Sequence, residues 1–198
     1  MANVQALLAL ADGLATHLAR AYPKALSDVN PAKFEAVSSA TVHKEPVEAA
    51  NRITIWPYRV SVNGDQRNRA FHLPQGLTNR PLPLDVHLLV SVWAARTDVE
   101  LVLFTWAMRE LYQLASVDAS ILSSIDAEMR PDEQLQLAFV ELSLEDLMRL
   151  WEGNKSGYRL STALVARVLQ VDITERDAQP VVARRLRFTD DVPVEAAP

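Results

Sequence analysis

Between Leu82 and Ala94 the chain alternates without a break. Leu82, Leu84, Val86, Leu88, Val90, Val92 and Ala94 fall on one side, and Pro83, Asp85, His87, Leu89, Ser91 and Trp93 on the other. A two-residue period held this long is the signature of a β-strand, because successive side chains point to opposite faces. A strand with one wholly apolar face needs neighbouring strands and an apolar layer against that face. The rest of the chain therefore has to supply a sheet and something to cover it.

The covering layer is visible in two helical patterns. Leu7, Leu10, Leu14 and Leu18, with Ala11 and Ala15, form one stripe over a helix from Val4 to Tyr22, which Pro23 stops. Thr97 and Glu100 have the spacing of a capping box, which opens a helix to about Ala115 with Leu101, Phe104, Met108, Leu111 and Ala115 as its buried face. A third, short helix, "LEDLMRLWEG", is capped by Ser143 and ended by Gly153.

More strands follow from the same alternation. "NRITIWPYRVSVNG" puts Thr54, Trp56, Tyr58, Val60 and Val62 on one face, and Pro57 requires an edge or a bulge because it lacks a ladder donor. Asn63-Gly64 is a favoured pair for a tight hairpin turn, predicting a return strand at Arg69 to Leu73. Ser27 to Pro46 reads as a loop with a strand near Phe34 to Thr41. Leu135, Leu137 and Phe139 mark a strand ending near Leu142, and "YRLSTALVARVLQVD" marks the last one. "VDASILSSIDAEMRPDE" reads as linker. Helices and strands in this irregular order predict an α+β fold with a mixed, mostly antiparallel sheet flanked by helices.

A chain of 198 residues suits one domain, able to bury roughly 70% of its unfolded surface. We place that domain at 1–175, with a C-terminal strand or tail, partly flexible, at 176–198. The net charge of −5 argues against a nucleic-acid partner. The cluster Arg184, Arg185 and Arg187 is followed at once by Asp190 and Asp191. With no cysteine, thiolate metal sites are excluded. The first helix lacks a basic leader and is interrupted by Asp12, His17 and Arg20, so it reads as amphipathic rather than as a signal peptide. No run approaches the ~18 apolar residues of a membrane span. Synthesis and assembly in the cytoplasm, away from membranes, is the expectation.

Asp85, His87 and Ser91 have the side-chain types of a hydrolase triad, and on a strand they share a face. The strand rise separates Asp85 from Ser91 by roughly 20 Å, whereas a triad needs successive partners within about 3 Å. No G-x-S-x-G elbow or glycine-rich phosphate loop occurs. His43-x-Glu45 offers two metal ligands without a recurring third. Glu145 and Asp146 are accounted for as first-turn acids, and Trp106 and Trp151 as packing residues on helices. These residues leave a hydrolase or metal enzyme using His43, Asp85 or His87 as the weaker reading. No catalytic, cofactor or metal site is assigned.

Four segments, in order, resemble a known family: "NRPLPLDVHLLVSVWA", "TIWPYRVSVNGDQRNR", "ELSLEDLMRLWEG" and "YRLSTALVARVLQVD". They are similar to the motifs of the Pvc16-type N-terminal domain. The positions carrying the likeness, and so the family-motif or interface candidates, are Trp56, Tyr58, Arg59, Asn63, Asn79, Pro81, Asp85, His87, Trp151, Tyr158 and Arg159. The resemblance implies a structural protein, the cap or tail terminator of an extracellular contractile injection system, with a fold like that of phage tail terminators. It implies a hexameric ring that ends tube and sheath away from the baseplate. The partners would then be other copies of the chain and the tube and sheath proteins, in a particle that can leave the cell. Longer members of the family continue well past this domain, and nothing of that extension is carried over. A soluble adaptor built on the same domain is the alternative reading.

Overall fold

The computed structural model describes residues 5–42, 51–68, 81–114, 116–122, 134–152 and 157–171. Along the chain these form α1 (Ala6–Ala21), α2 (Lys24–Val29), β1 (Ala32–Ala36), β2 (Asn51–Val62), α3 (Gly64–Asn68) and β3 (Leu82–Trp93). There follow α4 (Thr97–Gln113), β4 (Ser116–Asp118), α5 (Ala119–Leu122), β5 (Gln134–Val140), α6 (Leu144–Glu152) and β6 (Ser161–Val171). The strands make one sheet in the order β1-β2-β3-β6-β5-β4. The β1–β2 pair is parallel and the other pairings are antiparallel, so the α+β fold with a mixed, mostly antiparallel sheet is as predicted.

β3 lies at the centre, between β2 and β6, and its two faces carry two cores. Val86, Leu88, Val90 and Val92 pack with Ile53, Ile55, Leu164 and Ala166 under α1 and α4. From α1 the stripe Leu10, Leu14 and Leu18 is fully buried there, each leucine contributing about 1.5–3 kcal/mol by leaving water. The other face is not simply polar, as the alternation suggested. Leu89 and Trp93 are buried in a second cluster with Trp56, Ala163 and Trp151, the last supplied by α6. The sheet is thus sandwiched, α1 and α4 on one face and α6 on part of the other.

Two bulges set which residues reach which face. In the β2–β3 pair Pro57 faces Leu88 and Arg59 faces His87, leaving Tyr58 as the extra residue. Because paired residues share a face, Thr54 and Trp56 lie on the α6 side while Val60, opposite Val86, has crossed to the α1–α4 side. Val60 and Val62 are therefore not on the Trp56 face as the alternation alone predicted, and they remain exposed. β1 pairs β2 only from Asn51 to Ile55, so Pro57 lies both beyond the covered edge and at a bulge. In the β3–β6 pair, Leu84 faces Leu169 and Val86 faces Ala166, so Asp85 faces two residues, Arg167 and Val168. That extra residue returns Leu169 and Val171 to the same core as Ala166.

Several expectations are corrected. Asn63-Gly64 makes no two-residue hairpin. The chain enters α3 instead, and Gly64 lacks the positive φ such a turn demands. The return strand at Arg69 to Leu73 and the stop at Gly153 lie outside the described residues, as does His43-x-Glu45. The loop after Ser27 contains the end of α2, and its strand, β1, begins earlier than Phe34. The linker after Ala115 contains β4 and α5. Helix α4 starts at Thr97 itself, so the capping-box geometry does not form; Arg96 occupies the cap and its guanidinium holds Asp98. The buried stripe of α4 is Val99, Leu103, Ala107 and Leu111, and Leu101 is 52% exposed. Small Ala107 lies at the interior of that stripe, a position that a search for large apolar residues passes over.

Candidate assembly surface

Helix α6 begins where the sequence predicted. The Ser143 hydroxyl oxygen accepts the Asp146 N–H at 3.1 Å, capping the first turn. From there Leu147, Leu150 and Trp151 reach the sheet. Trp93, beneath them, is held from several sides. Its indole N–H donates to the Thr54 hydroxyl at 3.2 Å, and the Trp151 ring meets it edge-on at 5.9 Å. The guanidinium carbons of Arg52 and Arg159 lie 4.2 and 4.7 Å from its ring centroid, an attraction between cation and ring face that strengthens when water is excluded. Arg52 also pairs with Glu35 at 2.8 Å, which ties β1 to the same cluster.

The same sheet face continues beyond α6. There Arg59 and Arg167 are exposed and His87 half-buried, with the Tyr58 ring 6.0 Å from the imidazole. Burial holds the His87 pKa below its ordinary value, Arg59 and Arg167 push the same way, and Asp85 opposes them. Burial likewise raises the Tyr58 pKa, with Asp146 adding to the rise and Arg59 opposing it. On a chain of net charge −5 this is a local basic patch.

Asp85 borders the patch and is fully engaged. Both of its carboxylate oxygens accept from the Asn63 side-chain amide, at 3.1 and 3.0 Å, and Oδ1 also accepts the Val168 N–H at 3.0 Å. Asn63 in turn accepts the Gln66 N–H at 2.9 Å, starting α3, and donates its own N–H to Pro83. Val168 has φ +65, a conformation that a β-branched residue rarely adopts. The carboxylate thus pins a bulge in β6 to the end of β2.

The remaining letters of the triad are placed otherwise. Ser91 is buried and accepts the Ser161 hydroxyl at 3.0 Å. Among the described residues no hydrogen bond joins His87 to Asp85 or Ser91, and no three His, Asp or Glu converge as a metal site. Of the family positions, Trp56, Trp151 and Arg159 belong to the covered cluster, Tyr58, Arg59 and His87 to the open patch, and Asn63 and Asp85 to the bulge. Tyr158 is exposed beside α6, Pro81 is buried ahead of β3, and Asn79 lies outside the described residues. Sequence reasoning missed Arg52, Thr54 and Trp93 as partners. The parity of 52, 54 and 56 along β2, set against 89, 91 and 93 along β3, is the signal that pairs them.

Residues 7–184 match the Pvc16 N-terminal domain. The chain belongs to the Pvc16 N-terminal domain family. Among solved structures, this Pvc16-type domain is similar to a PVC sheath/tube terminator of an extracellular contractile injection system in its extended state, at TM-score 0.53 and 12% identity. The match covers 95% of the present chain and 65% of that one, so the Pvc16-type domain spans just under two thirds of its length. No curated protein matches the sequence. Among the described residues no helix is long and apolar enough to cross a membrane.

Proposed function

We propose that this chain is a structural, non-enzymatic terminator of a contractile injection system: a hexameric ring that ends tube and sheath at the end away from the baseplate. The observation that carries the reading is the likeness of nearly the whole chain to a sheath/tube terminator, together with family membership over residues 7–184. The exposed family positions Arg59 and Tyr158, with half-buried His87, are the contacts we assign to partners. Buried Trp56 and Trp151, with half-buried Asp85, shape the surfaces that present them.

A ring of like subunits needs a heterologous interface that closes on itself, and a terminator needs one surface for the last tube and sheath layer. The Arg59 and Arg167 cations on either side of His87 suit acidic side chains on such a layer, since charge complementarity directs docking. Electron microscopy of particles from a strain lacking this protein tests the role. Tails of irregular length and unstable sheaths are expected; tails of normal length and stability would contradict it.

A further inference from the structure

Among the described residues, an uncovered apolar surface on α4 and another on α6 lie on opposite layers. On α4, Leu101 and Val102 are 52% and 40% exposed, and with Leu26, Trp106 and Arg109 they line a shallow groove. On α6, Leu144 and Met148 are 73% and 49% exposed. With Leu147 and Trp151 they follow the spacing of one helical stripe, of which Trp151 alone is buried. Half of an apolar stripe is thus turned outward, beside exposed Tyr158 and Glu152.

The charges around the two surfaces are complementary. The α4 groove carries a cation, Arg109. The α6 surface carries two acids and one cation, but Arg149 is already paired with Glu145. Among the described residues Arg109 and Glu152 have no ion-pair partner. One surface thus offers an apolar groove with a positive charge, the other an apolar ridge with a negative one. Because α4 covers one sheet face and α6 the other, a contact between them runs head-to-tail. Such a contact generates a ring when the rotation closes.

We infer that the occupant of the α4 groove is α6 of a second copy of this chain. Leu144 and Met148 seat against Leu101, Val102 and Leu26, and Glu152 faces Arg109. The assignment rests on the terminator reading only in taking a ring as the assembly.

The chain has no cysteine, so two introduced thiols can be joined without background. Particles are assembled with Val102→Cys/Met148→Cys as the sole form of the protein and treated with a short bis-maleimide. A ladder of covalent multimers is expected, with each single-cysteine variant staying monomeric. Adding Arg109→Glu or Glu152→Arg lowers the linked fraction about tenfold or more, and combining the two restores it. Linked dimers from a single-cysteine variant, or no ladder from protein present in the particle, would overturn the interface while leaving the cap role standing. Absence of the wild-type chain from particles would overturn the cap role and the ring with it.

Discussion

The Asp85 carboxylate accepts the backbone N–H of Val168 at 3.0 Å, across the one place where β6 carries a residue too many for β3. A half-buried N–H in a left-handed conformation would otherwise lack a ladder partner, and leaving such a donor unsatisfied costs about 1–3 kcal/mol. Asp85→Ala also removes both bonds to Asn63. We therefore expect it to lower stability by about 2–4 kcal/mol in urea unfolding, against a near-neutral Asp65→Ala control on the exposed side of α3. Because both side chains belong to one network, Asn63→Ala in the Asp85→Ala background should cost clearly less than it does alone.

Gly13 is required by close approach rather than by backbone conformation. A Cβ built there would meet the Ile121 carbonyl oxygen of α5 at 2.5 Å. In an open helix, Gly→Ala gains about 0.5–1 kcal/mol. Here Gly13→Ala has to push α1 and α5 apart, and a loss of about 1–3 kcal/mol is expected. Thermal unfolding by circular dichroism reads the sign directly, and a raised Tm would refute the contact.

Trp151 joins α6 to the sheet. Truncating Trp151→Ala removes the ring that meets Trp93 at 5.9 Å and opens a cavity between Trp56, Leu89 and Ala163. A cost of about 3–5 kcal/mol is typical for such a change. Faster hydrogen exchange should be confined first to α6, with α1 and α4 still protected.

His87 gives a pH dependence whose sign is fixed by its surroundings. Burial, Arg59 and Arg167 lower its pKa from 6.5, so the unfolded chain takes up a proton more readily than the folded one. The corresponding stability is full above 6.5 and is lost as pH falls from there through the lower folded value. Urea titrations between pH 8 and pH 5 should show this loss, and His87→Asn should flatten it. An unchanged slope in the variant would remove His87 from the account.

The alternation from Leu82 to Ala94 made the central strand legible, because one of its faces repeats an apolar residue at every second position. The α1 stripe and the Ser143 cap were legible for the same kind of reason, each being local. What the alternation could not show is where the period breaks. Tyr58 and Val168 are bulge residues; Pro57 signals an edge or a bulge without telling that Val60 changes face, and no letter announces that a valine takes a positive φ. Asn63 belonged to a helix cap rather than a hairpin because its side chain is claimed by Gln66 and Asp85, the latter 22 positions away. Of the candidate surface, the aromatic and basic residues could be named in advance. Their division into a covered half and an open half depends on where α6 lands, which is decided by long-range packing of Trp151.

The central claim is that this chain forms the terminal ring, and a cryo-EM reconstruction of the tail end away from the baseplate tests it most directly. The account predicts a six-fold ring of this fold seated on the last tube and sheath layer. A tail end of intact particles in which that position is filled by a different protein would contradict it.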